Sequence, residues 1–190
     1  MRTGLVFGLT AWLLAFAGVS LASPVSERDS LRRFSYREMH MGVEVRVLLY
    51  APDTAKARSA ARAAFGRIAD LNRILSSYLS SSDLSRLNRA AGGPARRVPP
   101  ELFYVLWRSV EIAERTGGAF EPTIGPLSDL WAEARTTGRL PTHEARARAD
   151  SLVGWQLLEL DPVERTARLP RAGMALDLGG IAKGYVLDET

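Results

Sequence analysis

The sequence predicts a single α+β domain, a mainly antiparallel sheet packed with helices. Three observations predict it. From Val43 the chain alternates, with Val43, Val45, Val47 and Leu49 set against Glu44, Arg46 and Leu48, as a strand with one buried face does. Ala57, Ala61, Ala64, Ile68, Leu71 and Leu75 recur at three- and four-residue spacing, the stripe of an amphipathic helix. Three strand-like runs, Gln156–Leu160, Thr166–Leu169 and Met174–Leu176, come last with turn residues between them. Strands and helices in separate runs, without strict alternation, belong to the α+β class.

The elements follow in chain order. Arg2 gives a positive start, Leu5 to Leu21 is apolar and broken only by small residues, and Ser20-Leu21-Ala22 sets small residues around a cleavage point before Pro24. That layout is a secretory signal peptide over residues 1–22, so the chain is expected to be exported, to the periplasm. Membrane association is expected only if that segment stays uncleaved. The chain has no cysteine, so neither a lipid-anchored form nor a disulfide is expected. Residues 23–40 are polar and charged and read as a linker leading into a domain over 41–190. Pro52-Asp53-Thr54 is a turn and helix cap before the first helix. Asp83 to Asn88 is a short helix closed by Ala91-Gly92-Gly93-Pro94. Pro99-Pro100-Glu101 opens a third helix with proline where its missing N–H is harmless, and Gly117-Gly118 ends it. Residues 119–140 hold no sustained period and read as an ordered loop. Pro141-Thr142 begins a helix expected to reach Val153.

Composition excludes some functions. At 46% hydrophobic and 24% charged the chain is ordinary globular material. The net charge is +4, but acidic and basic residues are interspersed, so no nucleic-acid partner is expected. Only Lys56 and Lys183 among the 25 basic residues are lysines. His40 and His143 have no Cys or His at ligand spacing, and no Gly-x-Ser-x-Gly, Cys-x-x-Cys or His-Glu-x-x-His occurs. Ordinary hydrolase and zinc chemistry loses its support.

Two stretches carry candidate chemistry. Ala175-Leu176-Asp177-Leu178-Gly179-Gly180-Ile181-Ala182-Lys183-Gly184-Tyr185 reads as strand, tight turn and helix start. A helix N-terminus favours a phosphate or pyrophosphate, Lys183 would add positive charge, and Asp177 would accept hydrogen bonds or orient a cation. A plain turn with a capping aspartate and a surface lysine fits the same spacing equally well. Thr116-Gly117-Gly118-Ala119-Phe120-Glu121-Pro122-Thr123-Ile124-Gly125-Pro126-Leu127 reads as a rigid loop close to a ligand, or as a well-packed connector. Tyr78, in the serine-rich loop from Ser76 to Asp83, either stacks on a flat ring or closes the core edge.

These segments, with Met41-Gly42 before them and Ser82-Asp83-Leu84-Ser85-Arg86-Leu87-Asn88 among them, resemble the FAD:protein FMN transferases, the ApbE family. The resemblance runs in order over nearly all of the chain after residue 40. It implies an enzyme that binds FAD with magnesium (Mg2+) and moves FMN to a threonine hydroxyl of an acceptor protein, releasing AMP. Membrane redox-pump subunits are among the acceptors it implies. Met41, Tyr78, Ala119, Phe120, Glu121, Asp177 and Lys183 would contact FAD, and the Gly180 carbonyl would face magnesium. There are departures: Val43 replaces the usual threonine of Met-Gly-Thr, and Glu121 the usual aspartate of Ala-Phe-Asp. The family's C-terminal aspartate and threonine ligands fall beyond residue 190, so a C-terminally truncated domain is expected. A non-catalytic FAD-binding exported protein, or an inactive fragment, is the alternative.

Overall fold

The computed structural model describes residues 31–190; the expected signal segment, residues 1–22, lies outside them. The first two elements are strands β1 (Arg32–His40) and β2 (Val43–Ala51), an antiparallel hairpin whose register runs from Arg32↔Ala51 to His40↔Val43. Its two-residue turn puts Met41 at φ 50° and Gly42 at φ 74°, the doubly left-handed geometry that suits strand twist. Residues 32–40 are therefore not linker, as expected, but the partner strand of β2. Their pattern is faint because only Phe34, Tyr36 and His40 are even half-buried, while arginines fill the outer positions.

The hairpin rests on helix α1 (Thr54–Leu75), where His40 stacks on Phe65 with ring centroids 5.7 Å apart. The Asp53 carboxylate accepts from the Lys56 amide at 2.8 Å and starts α1 as expected. The buried stripe uses Phe65 where Ala64 was expected, and Ala64 is half-buried. Helix α2 (Asp83–Arg89) is capped by Ser82, and helix α3 (Pro100–Arg115) buries Leu102, Phe103, Val105 and Leu106. Gly117, at φ 60°, and Gly118, whose amide reaches the Ala113 carbonyl at 2.8 Å, close α3.

Residues 119–140 are not one loop: helix α4 (Gly125–Thr137) occupies their second half. It escapes periodicity because Gly125 is its only buried residue, and Pro126 sits harmlessly in its first turn. Helix α5 (His143–Asp150) stops short of Val153 at a turn capped by Ser151. The expected strand Gln156–Leu160 is a 3-10 turn over Trp155–Leu157 followed by strand β4 (Glu159–Asp161). Strand β5 (Thr166–Arg168) pairs antiparallel with β4 and with a short strand β3 (Arg96–Arg97), in the order β3-β5-β4. Antiparallel pairing thus holds, in two small sheets. Met174–Leu176 is extended and makes a single parallel bridge, Ala175 to Ile124. Helix α6 (Ala182–Asp188) follows the glycine pair.

One core joins these parts. Ile68, Leu71 and Leu75 of α1 meet Leu84 and Leu87 of α2, Leu102, Val105 and Leu106 of α3, and Leu169, Met174, Leu176 and Leu178. Burial of large aliphatic side chains contributes about 1.5–3 kcal/mol each. The extended segment carrying Asp177 is therefore anchored on both sides of that residue, by Leu176 and Leu178.

Candidate functional site

Two segments distant in sequence lie side by side. The Gly125 amide donates to the Ala175 carbonyl at 3.1 Å, and the Asp177 amide donates to the Pro122 carbonyl at 2.9 Å. Glycine is required at 125, since an added Cβ would sit 2.6 Å from the Ala175 oxygen. Phe120 lies against Gly180, where a Cβ would stand 3.1 Å from its ring. Asn88, at the end of α2, clamps the same strand: its amide donates to the Leu176 carbonyl at 3.0 Å, and its oxygen accepts from the Leu176 amide at 2.9 Å.

The tyrosine loop is built separately. The Ser76 hydroxyl accepts from the Tyr78 and Leu79 amides at 3.1 and 3.2 Å. The Ser82 hydroxyl donates to the Ser76 carbonyl at 2.5 Å, and Ser82 is buried. The backbone is thus pinned while the Tyr78 side chain stands 89% exposed. A large aromatic held in water by a fixed loop is available for stacking.

A cleft of about 570 Å³ joins these pieces. Tyr78, Ser77, Asn88, Asp177, Asp129, Trp131 and Arg135 are among the residues that line it. The Asp177 carboxylate accepts from the Gly179 amide at 2.9 Å, which shapes the glycine turn and leaves its second oxygen for other partners. A larger opening of about 740 Å³ lies between α3 and α6 and includes Gly180, Tyr104, Tyr185, Arg67 and Glu189. Arg67 there pairs with Glu101 at 3.1 Å and Glu189 at 2.6 Å, which hold its guanidinium above the ordinary value. Burial pushes the Tyr185 phenol up as well. The smaller cleft is the better candidate site, because it collects the exposed ring, the carboxylate and parts of both bridged segments.

The site residues expected from sequence divide accordingly. Tyr78 and Asp177 share the cleft, while Phe120 lies against Gly180, which lines the larger opening. Ala119 and Lys183 are exposed, Lys183 in the first turn of α6. Met41 packs half-buried against the core from the hairpin turn and lines neither opening. The Glu121 carboxylate turns inward: it accepts from the Thr123 amide at 2.9 Å, the Thr123 hydroxyl at 2.7 Å and the Trp155 amide at 3.0 Å. Asp129, Trp131 and Arg135 were missed because α4 read as loop. Asn88 had a weak signal, a lone amide between a short helix and a glycine turn.

Magnesium finds an incomplete donor set. Among the described residues no group of three or more His, Asp or Glu side chains gathers around a common point, whereas this ion needs near-octahedral oxygen ligation. Also among the described residues, no helix is long and apolar enough to cross a membrane.

The α+β domain thus carries a cleft floored by two bridged backbone segments, with a tyrosine on a pinned loop at its rim. Residues 41–190 match the ApbE family profile, and the chain belongs to that family. A Treponema pallidum protein named FAD:protein FMN transferase is 30% identical over 168 residues, covering 85% of this chain and 46% of the relative. A Klebsiella pneumoniae protein of the same name is 31% identical over 159 residues, covering 83% and 49%. The crystal structure of the Thermotoga maritima ApbE protein superposes with a TM-score of 0.75 at 26% identity, over 83% of this chain and 51% of that one. The flavin transferase ApbE of Vibrio cholerae shares the fold, with a TM-score of 0.75 at 22% identity over 84% and 52%. The chain spans about half the length of the curated relatives it matches.

Proposed function

We propose that this chain has the function of an exported FAD:protein FMN transferase, with FAD held in the cleft. The observation that carries the proposal is the meeting of Tyr78 and Asp177 in one cleft, floored by the bridged residues Ile124 and Gly125 and by residues 175–177. Relatives named FAD:protein FMN transferase support the flavin as ligand. The proposed FAD contacts are Met41, Tyr78, Ala119, Phe120, Asp177, Lys183 and the backbone of Glu121, with Tyr78 stacking on a ring system and Lys183 countering phosphate charge. The reaction proposed is attack of an acceptor threonine oxygen on the FMN-side phosphorus, with AMP as leaving group. Magnesium belongs to the proposal through the family resemblance alone, with the Gly180 carbonyl as its candidate contact. A periplasmic setting and a membrane redox-pump subunit as acceptor belong to it on the same footing.

The test is titration of FAD with the chain, followed by quenching of flavin fluorescence, with magnesium and then with excess chelator. Saturable quenching is expected, weaker after chelation. No quenching by a chain that unfolds cooperatively would remove flavin binding from these residues. For transfer, the outcome is a gain of one FMN in the mass of a threonine-bearing acceptor, lost when magnesium is removed.

A further inference from the structure

Glu121 lies in a segment proposed to face FAD, yet both of its oxygens accept hydrogen bonds from the chain itself. The bonds form an ordered relay. The Gly154 amide donates to the Thr123 hydroxyl at 2.7 Å, and that hydroxyl, whose single proton is then free to point elsewhere, donates to Glu121 Oε1 at 2.7 Å. Oε1 also accepts the Thr123 amide, and Oε2 accepts the Trp155 amide. Thr123 is 0% exposed, so it cannot touch a ligand. The residue between them, Pro122, gives its carbonyl to the Asp177 amide, and Gly125 just beyond bonds to Ala175. The relay therefore ties the 154–155 turn, through Glu121 and Thr123, to the extended segment that carries Asp177.

We infer that Glu121 is a positioning residue: it fixes the floor of the flavin cleft through Thr123 and Trp155 and makes no side-chain contact with the flavin. This rests on the proposed flavin site and deepens it. Side-chain length is the crucial feature. An aspartate at 121 would draw both oxygens back by one methylene from the Thr123 and Trp155 donors. A glutamine keeps the reach but sets an N–H₂ or a lost acceptor against one of the two donors. Loosening the floor lowers the fraction of molecules competent to bind and weakens apparent affinity by that fraction.

The experiment uses the full chain and the variants Glu121→Asp, Glu121→Gln, Thr123→Val and Thr123→Ser, with two readouts. Amide hydrogen exchange without flavin reports the Gly154 and Trp155 N–H groups, and fluorescence titration reports FAD affinity. Glu121→Asp and Thr123→Val are each expected to speed exchange at 154–155 and to weaken FAD binding, on the order of tenfold. Their double mutant should lose much less than the product of the two effects, since they break one relay. Thr123→Ser, which keeps the hydroxyl, should restore both readouts toward the parent. The inference is overturned if Glu121→Asp weakens binding while Thr123→Val leaves affinity and exchange unchanged, since that pattern marks direct flavin contact. It is equally overturned if exchange at 154–155 is unchanged in every variant. If the parent chain binds no FAD, the flavin reading fails by itself, and the exchange data still decide whether the relay exists.

Discussion

At the scale of single residues, the site opposes an exposed side chain that holds nothing to a half-buried one that holds a strand. Tyr78 is 89% exposed on a loop pinned by serines, so Tyr78→Ala should change unfolding free energy by less than about 0.5 kcal/mol. The same variant should weaken FAD binding between about two- and tenfold, the worth of an aromatic stack. Equal FAD affinity in the parent and Tyr78→Ala would remove the ring from the site. Asn88 should behave in the opposite way. Asn88→Ala strands the Leu176 amide and carbonyl, and each buried group left unpaired costs about 1–3 kcal/mol. Asn88→Asp should not recover that loss, because it faces the Leu176 carbonyl with a second oxygen. Chemical denaturation of the three proteins checks both expectations. The loop around Tyr78 and the glycine turn after Asp177 were legible in sequence as short local motifs, whereas the meeting of the two residues in one cleft was not. The partners of Asn88 were not, lying 88 positions away, and neither was the inward turn of Glu121, whose Trp155 partner is 34 positions away. A pattern read over a few residues carries no information about which distant amide a side chain will meet.

At the scale of elements, legibility followed burial. Helices α1 and α3 bury long stripes and show in the sequence within a residue or two. Helix α4 buries only Gly125, and β1 is at best half-buried, so neither leaves an apolar period to find. The same contrast predicts how two glycines respond to one methyl group. Gly125 starts α4 with its Cα hydrogen against Ala175, where a Cβ would lie 2.6 Å from a backbone oxygen. Gly125→Ala should therefore push the bridged segments apart and destabilise the fold by at least about 1–3 kcal/mol. Gly66 lies exposed within α1, with nothing within 4 Å of an added Cβ. Gly66→Ala should stabilise the chain by about 0.5–1 kcal/mol, because alanine gives up less backbone freedom on forming a helix. Denaturant midpoints with unchanged slopes would establish both; a Gly125→Ala protein as stable as the parent would mean the bridge between Ile124 and Ala175 is dispensable.

At the scale of the whole molecule, α6 is docked on α1 and α3 by contacts that depend on protonation. Tyr185 packs beside Tyr104, with ring centroids 5.5 Å apart, and Arg67 bridges Glu101 of α3 to Glu189 just past α6. The Tyr185 phenol is held above its ordinary value of about 10, first by burial and then by the charges of Glu189 and Glu101, with Arg67 opposing. Folding thus favours the neutral phenol. Below about pH 10 both folded and unfolded chains keep the proton, and this contribution to stability is complete. As pH rises through the unfolded value and then the folded one, the unfolded chain releases its proton first, so stability falls. The unfolding midpoint should accordingly hold steady to about pH 9 and drop above about pH 10, through the loss of α6 docking. Tyr185→Phe has no phenol to titrate and should flatten that drop while leaving the neutral-pH midpoint close to the parent's. An alkaline loss of equal steepness in Tyr185→Phe would assign it to other groups.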